Sequence, residues 1–132
     1  MAFYLGCPVW GQKTWVGGFF PKGTKPNQFL ATYSRQLNTV EGNTTFYALP
    51  DVATVERWRD EVPNGFKFCL KVPQTISHRM RLVGAKDETN ALVDRLHRLQ
   101  EKGGPTLLQL PPTFRSSNSA CWRPTLKLGR AI

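Results

Sequence analysis

Glu41, Lys71 and Gln109, with Asn43 close behind the first, are the residues whose types and spacing could do chemistry. Each lies at or near the carboxyl end of a stretch that alternates polar with apolar residues, so its direction can be assigned. In residues 66–72 Phe66, Phe68, Leu70 and Val72 face one way, and Lys67, Cys69 and Lys71 the other. In residues 38–43 Val40 takes the apolar side, which leaves Thr39, Glu41 and Asn43 on the opposite one. In residues 106–110 Leu108 and Leu110 pair off against Gln109. A carboxylate so placed can serve as general base or acid, and an ammonium as electrophile or anion anchor. The two amides suit binding of a polar ligand. A second account fits the same residues: Glu41 pairs with Lys71, and Asn43 and Gln109 satisfy backbone groups. Whether Glu41 is ionised depends on how near Lys71 lies.

Trp10 directly follows the first apolar run and could stack on a sugar or base ring, or cap the core. Phe19 and Phe20 read as core, and so does Trp58, which lies on a helical stripe. His97 lies mid-helix among Arg95, Arg98 and Gln100 and reads as solvated surface. The two histidines show neither H-x-E nor H-E-x-x-H spacing, which argues against zinc. One carboxylate, Glu41, is thin ground for magnesium, so no metal is expected and the cofactor is unknown. Ser77-His78 lacks the acidic third member of a triad. Gly18 and Gly23 have phosphate-loop spacing, but Thr24-Lys25 reverses the order that loop needs.

These residues need a frame to position them. Residues 3–7, 38–43, 66–72 and 106–110 read as strands. Between them lie three helices. The first is capped at Thr24 with Pro26 in its first turn and carries Phe29, Leu30, Tyr33 and Leu37 on one face. The second opens at Pro50-Asp51 and buries Val55, Trp58 and Val62. The third spans about residues 87–102, with Asp87 and Glu88 at its start and Lys102 at its end to suit the helix dipole; Gly103 stops it and Pro105 bars its continuation. The order β-α-β-α-β-α-β implies right-handed crossovers and a parallel α/β sheet, either open or part of a barrel. Sites on such barrels form at the carboxyl ends of the strands.

The chain has 132 residues and a formal net charge of +9, with Lys+Arg 18 against Asp+Glu 9. That length fits one domain. No apolar run approaches the roughly 20 residues of a bilayer span. Arg115, Arg123, Lys127 and Arg130 stand among residues 115–132 without an acid, so much of the excess is a C-terminal matter. The basic charge admits nucleic acid as a partner. Three cysteines without C-x-x-C spacing, and no secretory signal, point to a cytoplasmic protein without a disulfide framework.

The run Asn38-Thr39-Val40-Glu41-Gly42-Asn43-Thr44-Thr45-Phe46-Tyr47, with Phe66 to Pro73, Thr75-Ile76-Ser77-His78 and Leu108-Gln109-Leu110-Pro111-Pro112, resembles the YecE-like family, domain of unknown function seventy-two. Gly6, Trp10, Trp15 and Phe20-Pro21-Lys22-Gly23 resemble its N-terminus, and the likeness runs from about residue 3 to 114. It implies a TIM-like (β/α) barrel of roughly twice this length, of which residues 1–114 would be the N-terminal half. It also makes His78 a candidate acid/base, beside Glu41 and Lys71 as catalytic residues and Trp10, Asn43 and Gln109 as substrate-binding ones. It implies no reaction. The expectation is a TIM-barrel enzyme, hydrolase or isomerase, on a small polar ligand. The alternatives are a non-enzymatic nucleic-acid-binding protein and an inactive truncated fragment that self-associates through open sheet edges. Residues 115–132 are expected to form a basic irregular tail whose composition resembles an out-of-frame read.

Overall fold

The computed structural model describes residues 3–115. Residues 116–132, with three of the four tail cations and Cys121, lie outside the described residues.

The chain folds as mixed α/β around a parallel three-stranded sheet of order β1-β2-β3, with β1 at Gly6–Cys7, β2 at Thr39–Gly42 and β3 at Lys67–Leu70. Thr39 stands opposite Gly6 and Lys67, and Glu41 opposite Cys69. Gly6 is required by that first pairing: a Cβ there would run into the carbonyl of Thr39. The period-2 pattern of β3 holds, since Phe68 and Leu70 are fully buried while Lys67 and Cys69 are half-buried.

Helices α1 (Phe29–Tyr33), α3 (Val52–Glu61) and α4 (Lys86–Arg98) form at the three helical stripes, and a short α2 (Thr44–Tyr47) follows β2. The core joins Phe29, Leu30 and Tyr33 of α1, Val55 and Trp58 of α3, and Leu92 and Leu96 of α4 to Val40, Phe68 and Leu70 of the sheet. Phe20 is fully buried, and Phe19 packs against the core as expected. His97 is exposed. No helix among the described residues is long and apolar enough to cross a membrane.

Several local expectations are corrected. The Thr24 hydroxyl caps no helix; it donates to the Pro21 carbonyl at 2.7 Å. The entry to α1 is instead a 3-10 turn, Pro26–Gln28, closed by the Lys25 N–H donating to Gln28 Oε1 at 2.9 Å. The third predicted helix stops at Arg98, because Gln100 takes a left-handed φ of 54° before Gly103 is reached. The predicted fourth strand is reduced to single parallel bridges, Phe68 with Gly103 and Lys71 with Leu107. The Gly104 N–H reaches the Phe68 carbonyl and the Leu107 N–H the Leu70 carbonyl. Pro105, between them, has no N–H to give, so the ladder cannot run on without a break.

Tyr33 ties the first two strands together from α1. Its hydroxyl accepts from the Cys7 N–H at 2.6 Å and donates to the Thr39 carbonyl at 2.9 Å. Burial pushes its phenol from 10.0 up to about 12. The fold therefore favours the neutral phenol. That contribution is complete below the unfolded value near 10 and is lost as pH rises through 12. Tyr33→Phe should cost about 1–3 kcal/mol at pH 8, because two buried backbone groups lose their partner. It should also flatten the fall in stability between pH 10 and 12. Urea titrations of both chains across that range check it, and parallel curves would refute the coupling.

Candidate functional site

The carboxyl ends of β2 and β3 are fastened by a residue the sequence did not single out. Thr45, fully buried in α2, sets its Oγ1 2.8 Å from the Gly42 carbonyl and 2.6 Å from the Lys71 carbonyl, with its one proton shared between the two acceptors. One hydroxyl thus holds the last turn of one strand against the end of the next. The geometry brings Phe46, the next residue, against two of the candidates. Lys71 Nζ stands over its ring, 4.6 Å from the centroid, and His78 meets the same ring edge-on at 5.1 Å. A cation over an aromatic face is held by the ring quadrupole. Thr45 and Phe46 were legible only as members of the run 38–47; their roles needed the turn after β2.

His78 lies in a π-helical turn, Thr75–Arg79, whose wide pitch is set by the Met80 N–H donating to the Thr75 carbonyl at 2.8 Å. Such turns displace a side chain from ordinary helical register. Ser77, fully buried, lies 3.2 Å from the Pro73 carbonyl through its Oγ and 2.9 Å from His78 Nδ1. Its single proton can serve only one of them. Given to the Pro73 carbonyl, it makes Nδ1 the donor and leaves the lone pair of Nε2 free to accept. Arg81 and Leu82 then take left-handed φ values of 52° and 66°. Leu82 is buried, and the Arg81 guanidinium donates to the Thr113 hydroxyl and carbonyl, with Phe114 under it at 5.6 Å. These contacts hold the His78 turn against the segment that carries Gln109.

Glu41 lies on the same face as Cys69 and Lys71. Burial, and then the charge of Glu41, push the Cys69 thiol up. Cys69 is therefore protonated at neutral pH and is a poor nucleophile. Among the described residues Glu41 and Lys71 form no ion pair: the ammonium goes to Phe46 instead. Asn43 donates from Nδ2 to the Pro8 carbonyl at 3.2 Å, and its Oδ1 is buried without a hydrogen-bond partner among the described residues.

The two remaining candidates lie apart from this cluster. Gln109 is exposed, two residues past the bridge between Leu107 and Lys71. Trp10 packs edge-on against Trp58 at 5.1 Å and Phe68 at 6.5 Å. Phe68 points to the helix side of β3, opposite Cys69 and Lys71, so Trp10 joins the core layer there. Among the described residues no three His, Cys, Asp or Glu side chains gather to hold a metal ion. A cleft of about 320 Å³ lies at the other end of the strands, lined by Leu5, Asn38 and Ser34 to Leu37. It contains none of the residues above.

A family model described as "Protein of unknown function DUF72" matches residues 4–127, which extends beyond Phe114 into the basic segment. UPF0759 protein YecE of Escherichia coli (strain K12) is 40% identical over 111 residues, 84% of this chain and 38% of that protein. UPF0759 protein YunF of Bacillus subtilis (strain 168) is 28% identical over 119 residues, 84% of this chain and 40% of its own. The chain thus spans about two-fifths of the length of these relatives. Crystal structures of DUF72 family proteins from Enterococcus faecalis V583 and Thermotoga maritima MSB8 share the fold, with TM-scores of 0.78 and 0.77. Their identities are 23% and 24%. Each match covers 98% of this chain, and 48% and 52% of the respective solved chains.

Proposed function

Because this chain belongs to the DUF72 family, whose description assigns no activity, we propose a function from its own geometry: the parallel strands are the N-terminal half of a TIM-like barrel that binds a small polar ligand at their carboxyl ends. In full-length relatives this site would act as a hydrolase or isomerase. The span of about half the solved chains, at a TM-score of 0.77, supports the half-barrel. One observation carries the site: Lys71, from β3's end, and His78, from the turn after it, both meet the Phe46 ring. Three chain segments spend their packing on aiming two polar groups, which a merely structural barrel rim would not need.

In this reading Glu41 is the general base or acid, Lys71 steadies developing negative charge, and His78 Nε2 exchanges a proton. Asn43 and Gln109 orient the ligand, and Trp10 backs the first loop. Glu41→Gln in a full-length relative should lower a measured turnover by about 10²–10⁴-fold, the usual share of a general acid or base, while leaving the melting temperature in place. Retained turnover would remove Glu41 from the chemistry. His78→Gln should act in the same direction.

A further inference from the structure

We propose that the ligand of this site is an oxyanion that also bears a hydroxyl, with the anionic group facing Lys71 and the hydroxyl donating to Asn43 Oδ1. The proposal rests on the reading of the site given above and adds the class of ligand.

Asn43 supplies the first argument. Its Nδ2 donates to the Pro8 carbonyl, which can only accept. That contact fixes the orientation of the amide, because turning it over would set two oxygens against each other. Oδ1 is therefore held in place as a buried acceptor with no donor among the described residues. Burying such an atom unpaired costs free energy, and a ligand O–H removes that cost. An anionic oxygen could not, since it has no proton to give.

Lys71 supplies the second. Its ammonium meets the Phe46 ring and, among the described residues, makes no hydrogen bond and no ion pair. Lys67, on the same face, is already committed to the Glu101 carbonyl. Lys71 therefore keeps its full set of donors to offer, whereas Lys67 has already placed one.

Charge placement supplies the third. Of the nine acids all but Glu41 lie at 51–61 or 87–101, on α3, α4 and their flanks. Between Glu61 and Asp87 the chain carries five cations, Lys71, Arg79 and Arg81 among them, and no acid. The turn that bears His78 is thus an acid-free positive stretch, which raises the local concentration of anions. Glu41 repels an anion on the β2 side, so the anionic group belongs at Lys71 and the hydroxyl at Asn43.

The test is a titration of the 132-residue chain at a pH where phosphate monoesters are dianions, followed by the His78 ring and Lys71 side-chain NMR signals, with four probes: glycerol, methyl phosphate, glycerol phosphate and glycerate. The two hydroxylated anions should bind about tenfold more tightly than methyl phosphate, whose dianion has no O–H, roughly the worth of one good hydrogen bond to a buried acceptor. Glycerol should leave both signals unmoved. Asn43→Ala should lower the hydroxylated anions to the affinity of methyl phosphate without changing methyl phosphate itself; Asn43→Ser serves if the alanine variant loses its dispersed spectrum. Lys71→Met should weaken all three anions about tenfold or more. Equal binding of methyl phosphate and glycerol phosphate would overturn the hydroxyl contact, and anion binding indifferent to Lys71→Met would overturn the anion contact. If glycerol alone moves the His78 signal, the site stands and the anionic class fails. If none of the four moves either signal, both readings fail.

Discussion

Lys102→Met should cost about 2–4 kcal/mol of folding stability, a large loss for one side chain. Lys102 is 8% exposed, and its ammonium donates to the Arg59 and Val62 carbonyls, each at 2.7 Å. Those carbonyls lie at the carboxyl end of α3, where a helix leaves its last acceptors without partners. The charge also meets the negative end of that helix dipole. Methionine keeps the length of the stem and removes only the head group, so the packing loss is small and both carbonyls are left orphaned. Hydrogen bonds to charged groups contribute about 1.5–3 kcal/mol each, with incomplete additivity. A urea titration should show a lower midpoint with an unchanged slope. Lys102→Ala should be worse, since the buried stem goes as well. A shift below about 0.5 kcal/mol would mean that water satisfies the two carbonyls unaided.

Thr45→Val is the second large effect, and it separates architecture from site. Valine has the shape of threonine without the hydroxyl, so the proton shared between the Gly42 and Lys71 carbonyls disappears while volume is kept. The expected cost is about 1–3 kcal/mol, because both acceptors lie at a buried junction. The further consequence is geometric. Thr45 holds α2 against the end of β3, and Phe46 takes its position from α2. Loss of the hydroxyl should loosen the ring against Lys71 and His78. The ring-current shifts of the His78 protons should shrink, and ligand affinity should fall with them. Thr45→Ser restores the hydroxyl and should restore both. A Thr45→Val chain that is destabilised yet keeps the His78 shifts would confine Thr45 to a structural role.

The apolar stripe Val55, Trp58 and Val62 was legible because helical period and burial coincide there, and Asp51 accepts from the Thr54 N–H as its cap. The alternation of Phe66 to Leu70 was legible for the same kind of reason, since period 2 leaves a strand no other way to bury its phenylalanines. The π-turn at Thr75–Arg79 was not, because a wide turn has no period of its own and depends on what the next segment docks against. Lys102 was assigned by proximity to the dipole of its own helix. The structure sends it across to α3, a choice between two helix ends that sequence spacing does not distinguish.

By itself the sequence determined which side chains leave the core. Glu41 and Lys71 had to face away from Val40 and Leu70, since backbone alternation is a local property of the chain; Asn43, expected to continue that alternation, instead takes helical backbone angles before α2. It determined the parallel order as well, through the lengths of the connections. Only the tertiary structure decided what those side chains meet. Thr45 closes β2 on β3, Phe46 meets both Lys71 and His78, and Trp10 turns to Trp58 instead of joining them. These are contacts between residues far apart in the chain, set by where α2 and the π-turn come to rest, and no local period encodes them.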